Sequence, residues 1–209
     1  MFKLLKYNQK LVTPIVRNQL ACFSYTAKNE PLLDYKQGSE ERIKLNEKLL
    51  QFLSLNFADK TEPLFDIPIV IGDKEIRTGN AQYQVAPFDH KLKLARFYHA
   101  DRKLIDEAIE NSMSVRAEWE GQPAEHRAQI LLKAADAIAN EKRMEVMAAT
   151  MLGQGKTVYQ AEIDSAAELV DFLRCNVQFL AEMLKYKPLD DGDHTTNDII
   201  LRGMSIKLL

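Results

Sequence analysis

The sequence predicts a helix-rich chain of the α/β class, carrying two short β-hairpins and forming the opening portion of a larger α/β domain. Three observations predict it. Apolar residues recur at helical spacing through most of residues 40–186. Two pairs of β-prone runs between residues 67 and 98 are each divided by a turn signal. A final apolar run, Ile199-Ile200-Leu201, is expected as a strand with no sequence after it to supply a partner.

The elements follow in order. A helix over about residues 40–57 places Ile43, Leu45, Leu49, Leu50, Leu53 and Leu55 on a buried face. Ile67 and Ile69-Val70-Ile71 lead through Gly72-Asp73, suited to a tight turn, into Lys74–Arg77. The second hairpin pairs Tyr83–Ala86 with Leu94–Tyr98 around Pro87–His90. Asp101 is a good N-cap for a helix over 102–119, with an apolar stripe of Leu104, Ile105, Ala108, Ile109, Val115 and Trp119, ended by Gly121. Pro123 suits the first position of the next helix, whose apolar face is Ile130, Leu131, Ala134, Ala135 and Ile138. A short amphipathic helix covers about 143–151. The longest helix runs from 157 to about 186 as one continuous α-helix, opened by a Thr157/Gln160 capping box and closed before Pro188.

The N-terminus has a different composition. Met1–Asn29 contains no acidic residue but carries Lys3, Lys6, Lys10, Arg17 and Lys28 among apolar and hydroxyl residues, which is the profile of a mitochondrial presequence. Residues 1–25 are accordingly set apart from the fold. The remaining composition, 46% hydrophobic and 28% charged, is that of a globular protein. A net charge of −2 with no recurring basic patch gives no reason to expect a nucleic-acid partner, and no apolar run approaches the ~20 residues of a membrane span.

Few residues are placed for chemistry. Cys22 and Cys175 are isolated, and His90, His99, His126 and His194 are scattered without metal-ligand spacing, so no metal site is expected. Gly153-Gln-Gly-Lys-Thr157 resembles the end of a phosphate-binding loop, but Thr150 stands where the first glycine belongs and a helix, not a strand, precedes it. A helix end followed by a helix start is the better reading. Cys175 lies inside the long helix beside Arg174 with no histidine nearby, which makes it a structural thiol rather than a nucleophile. Glu162, Asp164, Glu168 and Asp171 fall at helical spacings, as on a solvated face, although such a carboxylate can also hold an ammonium group.

Longer motifs carry a resemblance. Tyr83-Gln-Val-Ala-Pro-Phe-Asp89, Ala134-Ala-Asp136, Gly153-Gln-Gly-Lys-Thr157, and above all Gln160-Ala-Glu-Ile-Asp164 continuing through Ala166-Ala-Glu-Leu169 to Asp171-Phe172, are similar to the mitochondrial Δ1-pyrroline-5-carboxylate dehydrogenase family. Asn29-Glu-Pro31 and Gln37-Gly-Ser39 resemble the start of the mature protein in that family, which belongs to the aldehyde dehydrogenases. The resemblance runs from Asn29 to Gly203. It implies a Rossmann-like parent fold, a homo-oligomer, a location in the mitochondrial matrix, and NAD-dependent oxidation of L-glutamate γ-semialdehyde to L-glutamate in proline catabolism. A cysteine thiolate, an asparagine and a glutamate perform that chemistry in the family, and none of them maps onto this chain, so no catalytic or cofactor-binding residue is assigned. NAD binding is expected of the intact family enzyme and not of these residues. One position transfers: Glu168 resembles a family glutamate near the substrate's amino group, and is expected to bind substrate. The implied organisation is presequence 1–25, helical arm 26–66, the incomplete N-terminal part of the dehydrogenase domain 67–203, and a divergent tail 204–209, as in a truncated isoform, a retained intron or an incomplete gene. The competing expectation is a non-catalytic isoform that pairs with or regulates full-length subunits.

Overall fold

The computed structural model of the chain describes residues 23–58 and 63–186, with 188–189, 194–195, 197 and 199 beyond them. Most of the expected presequence, Cys22, the tail 204–209 and all but Ile199 of the last expected strand lie outside the described residues.

Helix α1 (Glu40–Ala58) starts where the Ser39 hydroxyl accepts from the Arg42 amide and two glutamates meet the positive helix end. It buries Leu45 and Phe52, two turns apart, while Ile43 and Leu50 stay exposed. Five strands follow: β1 (Phe65–Ile67), β2 (Ile69–Ile71), β3 (Lys74–Ile76), β4 (Ala81–Ala86) and β5 (Asp89–Tyr98). Both expected hairpins form. In the first, β2 pairs antiparallel with β3 across Gly72, whose φ of 58° is the left-handed value a tight turn needs. In the second, β4 pairs antiparallel with β5 around a turn shorter than expected, so that Asp89 and His90 already belong to the strand. Ile67 departs from the expectation. It belongs to β1, which leaves the first hairpin and pairs parallel with β5 in a sheet of order β1-β5-β4.

That parallel pairing is stapled by Asp66. Its carboxylate accepts from Arg77 Nε at 2.5 Å, from Arg96 Nε at 2.7 Å and from the Tyr98 hydroxyl at 2.8 Å, tying β1 to β5 and to the segment after β3. The Arg77 hydrogen bond, then those of Arg96 and Tyr98, hold the Asp66 carboxyl well below the usual carboxylate range. A folded-state pKa below the unfolded one means a contribution present above about pH 4 and lost as pH falls toward the folded value. The melting temperature of the wild type is therefore expected to fall on acidification below about pH 4 more steeply than that of Asp66→Asn, which should already melt lower at pH 7. Parallel curves from pH 6 to 3 in differential scanning fluorimetry would remove Asp66 from the account.

The helices come next. Asp101 caps α2 (Arg102–Gly121) by accepting from the Leu104 amide at 2.8 Å. Its expected buried stripe is only partly covered: Leu104 and Ala108 are half-buried, Ile105, Ile109, Val115 and Trp119 are exposed, and no α2 residue is fully buried. Helix α3 (Ala124–Ala139) has Pro123 at its N-cap, one residue before the expected first position and with no side-chain capping bond, and of the expected face it buries Ala135, with Ala124 and Ala128 beside it, while Ile130 and Leu131 are exposed. The reason is its partner: α6 (Glu168–Met183), which buries Val170, Val177 and Ala181, packs on α3, and small side chains let two helices approach closely. Helix α4 (Arg143–Gln154) ends at Gly155 with φ 67°, where the Gly155 amide bonds to the Met151 carbonyl and a Cβ would stand 3.1 Å from Pro87. The core joins α1, the β4–β5 hairpin, α4 and the start of the last helical run around Met147, Leu152, Phe52, Leu94 and Ala161.

The last helical run is not one continuous α-helix. The Thr157/Gln160 capping box forms as expected and opens α5 (Val158–Ala161), but a π-helical segment, Glu162–Ala167, intervenes before α6. Ser165 donates to the Ala161 carbonyl at 2.6 Å, giving a partner to a carbonyl within this widened turn.

Candidate substrate groove

The π segment places an acidic side chain where an α-helix would not. Glu162, expected on a solvated face, is fully buried, and Arg143 from α4 is nearly so at 3% exposure. Arg143 Nη2 donates to Glu162 Oε1, and Tyr35, from the extended segment before α1, donates its hydroxyl to Glu162 Oε2 at 2.7 Å. The Leu33 amide donates to Glu162 Oε1 at 2.8 Å. Arg143 continues outward to Glu30 Oε1 at 2.6 Å and the Pro31 carbonyl at 2.9 Å, while Arg174 holds Glu30 Oε2 at 2.7 Å. Two buried charges with this many partners satisfy the condition under which ion pairs persist in an interior. Burial pushes the Tyr35 phenol well above its usual range, and its hydrogen bond to the Glu162 carboxylate adds to the shift.

The outer side of the same construction is an open groove of about 660 Å³, lined by Asn29, Glu30 and Leu32 on one wall and by the π segment and α6 on the other. Four carboxylates border it, and three are already engaged. Glu30 is held by Arg143 and Arg174. Asp164 pairs with Lys156 at 2.7 Å. Asp171 accepts from the Glu30 amide at 2.6 Å. Glu168 is different: it is exposed in the groove and its carboxylate makes no hydrogen bond or ion pair among the described residues. The exposed rings of Phe172 and Phe179 complete that wall. A carboxylate without a partner, one turn from a second carboxylate and beside an aromatic face, suits an organic ammonium group.

The other sequence-level candidates are placed apart from such chemistry. Cys175 is a free thiol, half-buried along the groove, and the groove lining contains no lysine, arginine or histidine to generate a thiolate. In the glycine-rich stretch, Gly155 caps α4, the Thr157 amide bonds to Gln160 at 3.0 Å and Lys156 is taken by Asp164. Those groups are spent within the fold and do not fit a nucleotide phosphate. Among the described residues no cluster of histidine, cysteine and carboxylate side chains could hold a metal, and no helix is long and apolar enough to cross a membrane. Sequence reading missed the roles of Tyr35, Glu30, Arg143 and Glu162. The available signal was the spacing of Ala161 and Ala166, both fully buried and five residues apart, which is the stride of a π turn.

Comparison with known proteins bears on the family and the fold. Residues 77–202 match the model of the aldehyde dehydrogenase family. The mitochondrial Δ1-pyrroline-5-carboxylate dehydrogenase of Danio rerio is 46% identical over 184 residues, covering 88% of this chain and 32% of its own length. The Homo sapiens protein of the same name is 44% identical over 176 residues, covering 84% and 30%. Among solved structures, a Δ-pyrroline-5-carboxylate dehydrogenase from Mycobacterium tuberculosis bound with NAD superposes with a TM-score of 0.72 at 36% identity, covering 80% of this chain and 30% of that one. This chain spans about a third of the length of the relatives it matches. On the family match and the shared fold together, the chain belongs to the aldehyde dehydrogenase family.

Proposed function

We propose that these residues are the N-terminal third of a mitochondrial matrix dehydrogenase that oxidises L-glutamate γ-semialdehyde to L-glutamate with NAD. Their part in that activity is to supply a carboxylate, Glu168, for the substrate's ammonium group. The observation that carries this reading is Glu168 itself, the groove carboxylate without a partner among the described residues, beside Phe172 and one turn from Asp171. Sequence identity to relatives named for this activity supplies the substrate class. The small-molecule substrate and a homo-oligomeric assembly belong to the same proposal. So does the presequence at 1–25, which agrees with relatives named as mitochondrial.

NAD supplies the hydride acceptor in this proposal, but no step runs through residues of this chain. The amides and the lysine of the glycine-rich stretch have partners within the fold, and Cys175 has no base beside it. The 209 residues by themselves are therefore expected to produce no aldehyde-dependent NADH. The test is absorbance at the NADH band with purified chain, NAD and glutamate semialdehyde. Turnover above the protein-free blank would overturn the division of labour proposed here. A second reading, that the chain pairs with full-length subunits without catalysis, draws on the exposed apolar side chains of α2 and α6. Co-purification with a full-length relative would favour it.

A further inference from the structure

We propose that residues Ala27–Tyr35 form a strap, that the π segment and its buried Glu162 set its seating along α6, and that the strap fixes the groove wall facing Glu168. This goes beyond the ammonium reading and does not depend on it. The strap has no secondary structure of its own, yet its inward residues recur every third position. The amides of Ala27, Glu30 and Leu33 donate to Gln178 Oε1, Asp171 Oδ1 and Glu162 Oε1 at 2.8, 2.6 and 2.8 Å. Among the described residues the intervening amides of Lys28, Asn29 and Leu32 have no acceptor, and Pro31 has no amide hydrogen to offer.

A three-residue repeat is the period of an extended polyproline-type chain, which advances about 9 Å per repeat. Seven residues of α-helix, from Asp171 to Gln178, advance roughly 10 Å and return to the same face after about two turns. The two periods match. Glu162 lies nine residues before Asp171, and in an uninterrupted α-helix nine residues make about two and a half turns, which would carry it to the far side. The wider winding of the π segment takes up that excess and brings a third acceptor onto the line. Arg143 then clamps the strap from beneath through the Pro31 carbonyl and Glu30, and Tyr35 ends it at Glu162. Tyr35 has a positive φ of 50°, followed by Gly38 at 81°, so the chain bends sharply there before entering α1.

The test is residue-resolved amide hydrogen exchange by NMR on the full chain. Ala27, Glu30 and Leu33 are expected to exchange at least tenfold more slowly than Lys28, Asn29 and Leu32. Glu162→Gln should accelerate exchange at Leu33 and Glu30 by tenfold or more while leaving the β4–β5 amides as they are. Gln178→Met, a change at a half-buried position away from Glu162, should accelerate Ala27 by about as much and spare Leu33. It decides the matter if the Glu162 variant does not fold. Uniform exchange across residues 27–33, or an Ala27 amide still protected in Gln178→Met, would overturn the proposal. Adding L-glutamate separates the two ideas: failure of glutamate to perturb the groove counts against the ammonium reading and leaves the strap standing.

Discussion

Arg143→Met is expected to lower the stability of the chain by about 3–5 kcal/mol, the cost of removing one partner from a buried ion pair. The side chain replaced is nearly inaccessible and the one left behind, Glu162, is completely so. Methionine fills much of the same volume, so the loss comes from charge and hydrogen bonding rather than from a cavity. Glu162 would retain the Tyr35 hydroxyl and the Leu33 amide but no cation, and Glu30 would keep only Arg174. For a chain of this size the change corresponds to a fall in melting temperature of roughly 6–20 °C. The accompanying double variant, Arg143→Met with Glu162→Met, should recover part of the loss, because no buried charge is left without a counter-charge, while the Tyr35 hydroxyl and the Leu33 amide lose their acceptor. Thermal denaturation of the two single variants and the double closes the cycle. A single variant that melts within 2 °C of the wild type would mean that water reaches the pair and that the strap is anchored elsewhere.

That network also explains which parts of the molecule could be read from the sequence. Local signals were legible because their partners are three or four residues away: the Thr157/Gln160 box, the Asp101 cap, the Gly72 turn and the Gly155 helix end all form where the residues indicate. Features decided by distant partners were not. The parallel pairing of Asp66 with Arg96 joins residues 30 positions apart, and nothing in Phe65-Asp66-Ile67 distinguishes it from the start of the following hairpin. The α3 face failed for a related reason. Ile130 and Leu131 dominate an apolar count, but close packing of α3 against α6 selects the alanine side. The strap was illegible because a polar, non-periodic stretch with one proline is ordinarily a loop, and its repeat becomes visible only beside the helix that accepts it. At the groove, resemblance supplied Glu168, while the want of a partner for its carboxylate among the described residues is a property of the folded surroundings.

Glu168→Gln is expected to weaken L-glutamate binding about tenfold, measured by chemical-shift titration of the labelled chain. Glutamine keeps the size and one acceptor oxygen, so the loss isolates charge. Hydrogen bonds to charged groups contribute about 1.5–3 kcal/mol, and the exposure of this side chain places the expected value at the lower end. Glutarate, which has the same two carboxylates and no amino group, supplies the comparison. It should bind the wild type more weakly than glutamate, because Glu168 and Asp171 repel an anion that brings no cation to offset them. Substitution of Glu168 should then leave glutarate unaffected or bind it slightly better. Asp171 is the weaker acceptor of the two, since one of its oxygens is already committed to the Glu30 amide. Opposite responses of the two ligands are what an ammonium-binding carboxylate requires. If Glu168→Gln weakened both ligands equally, the side chain would be shaping the groove rather than recognising the amino group, and the case for a glutamate-like substrate in this part of the fold would rest on sequence similarity alone.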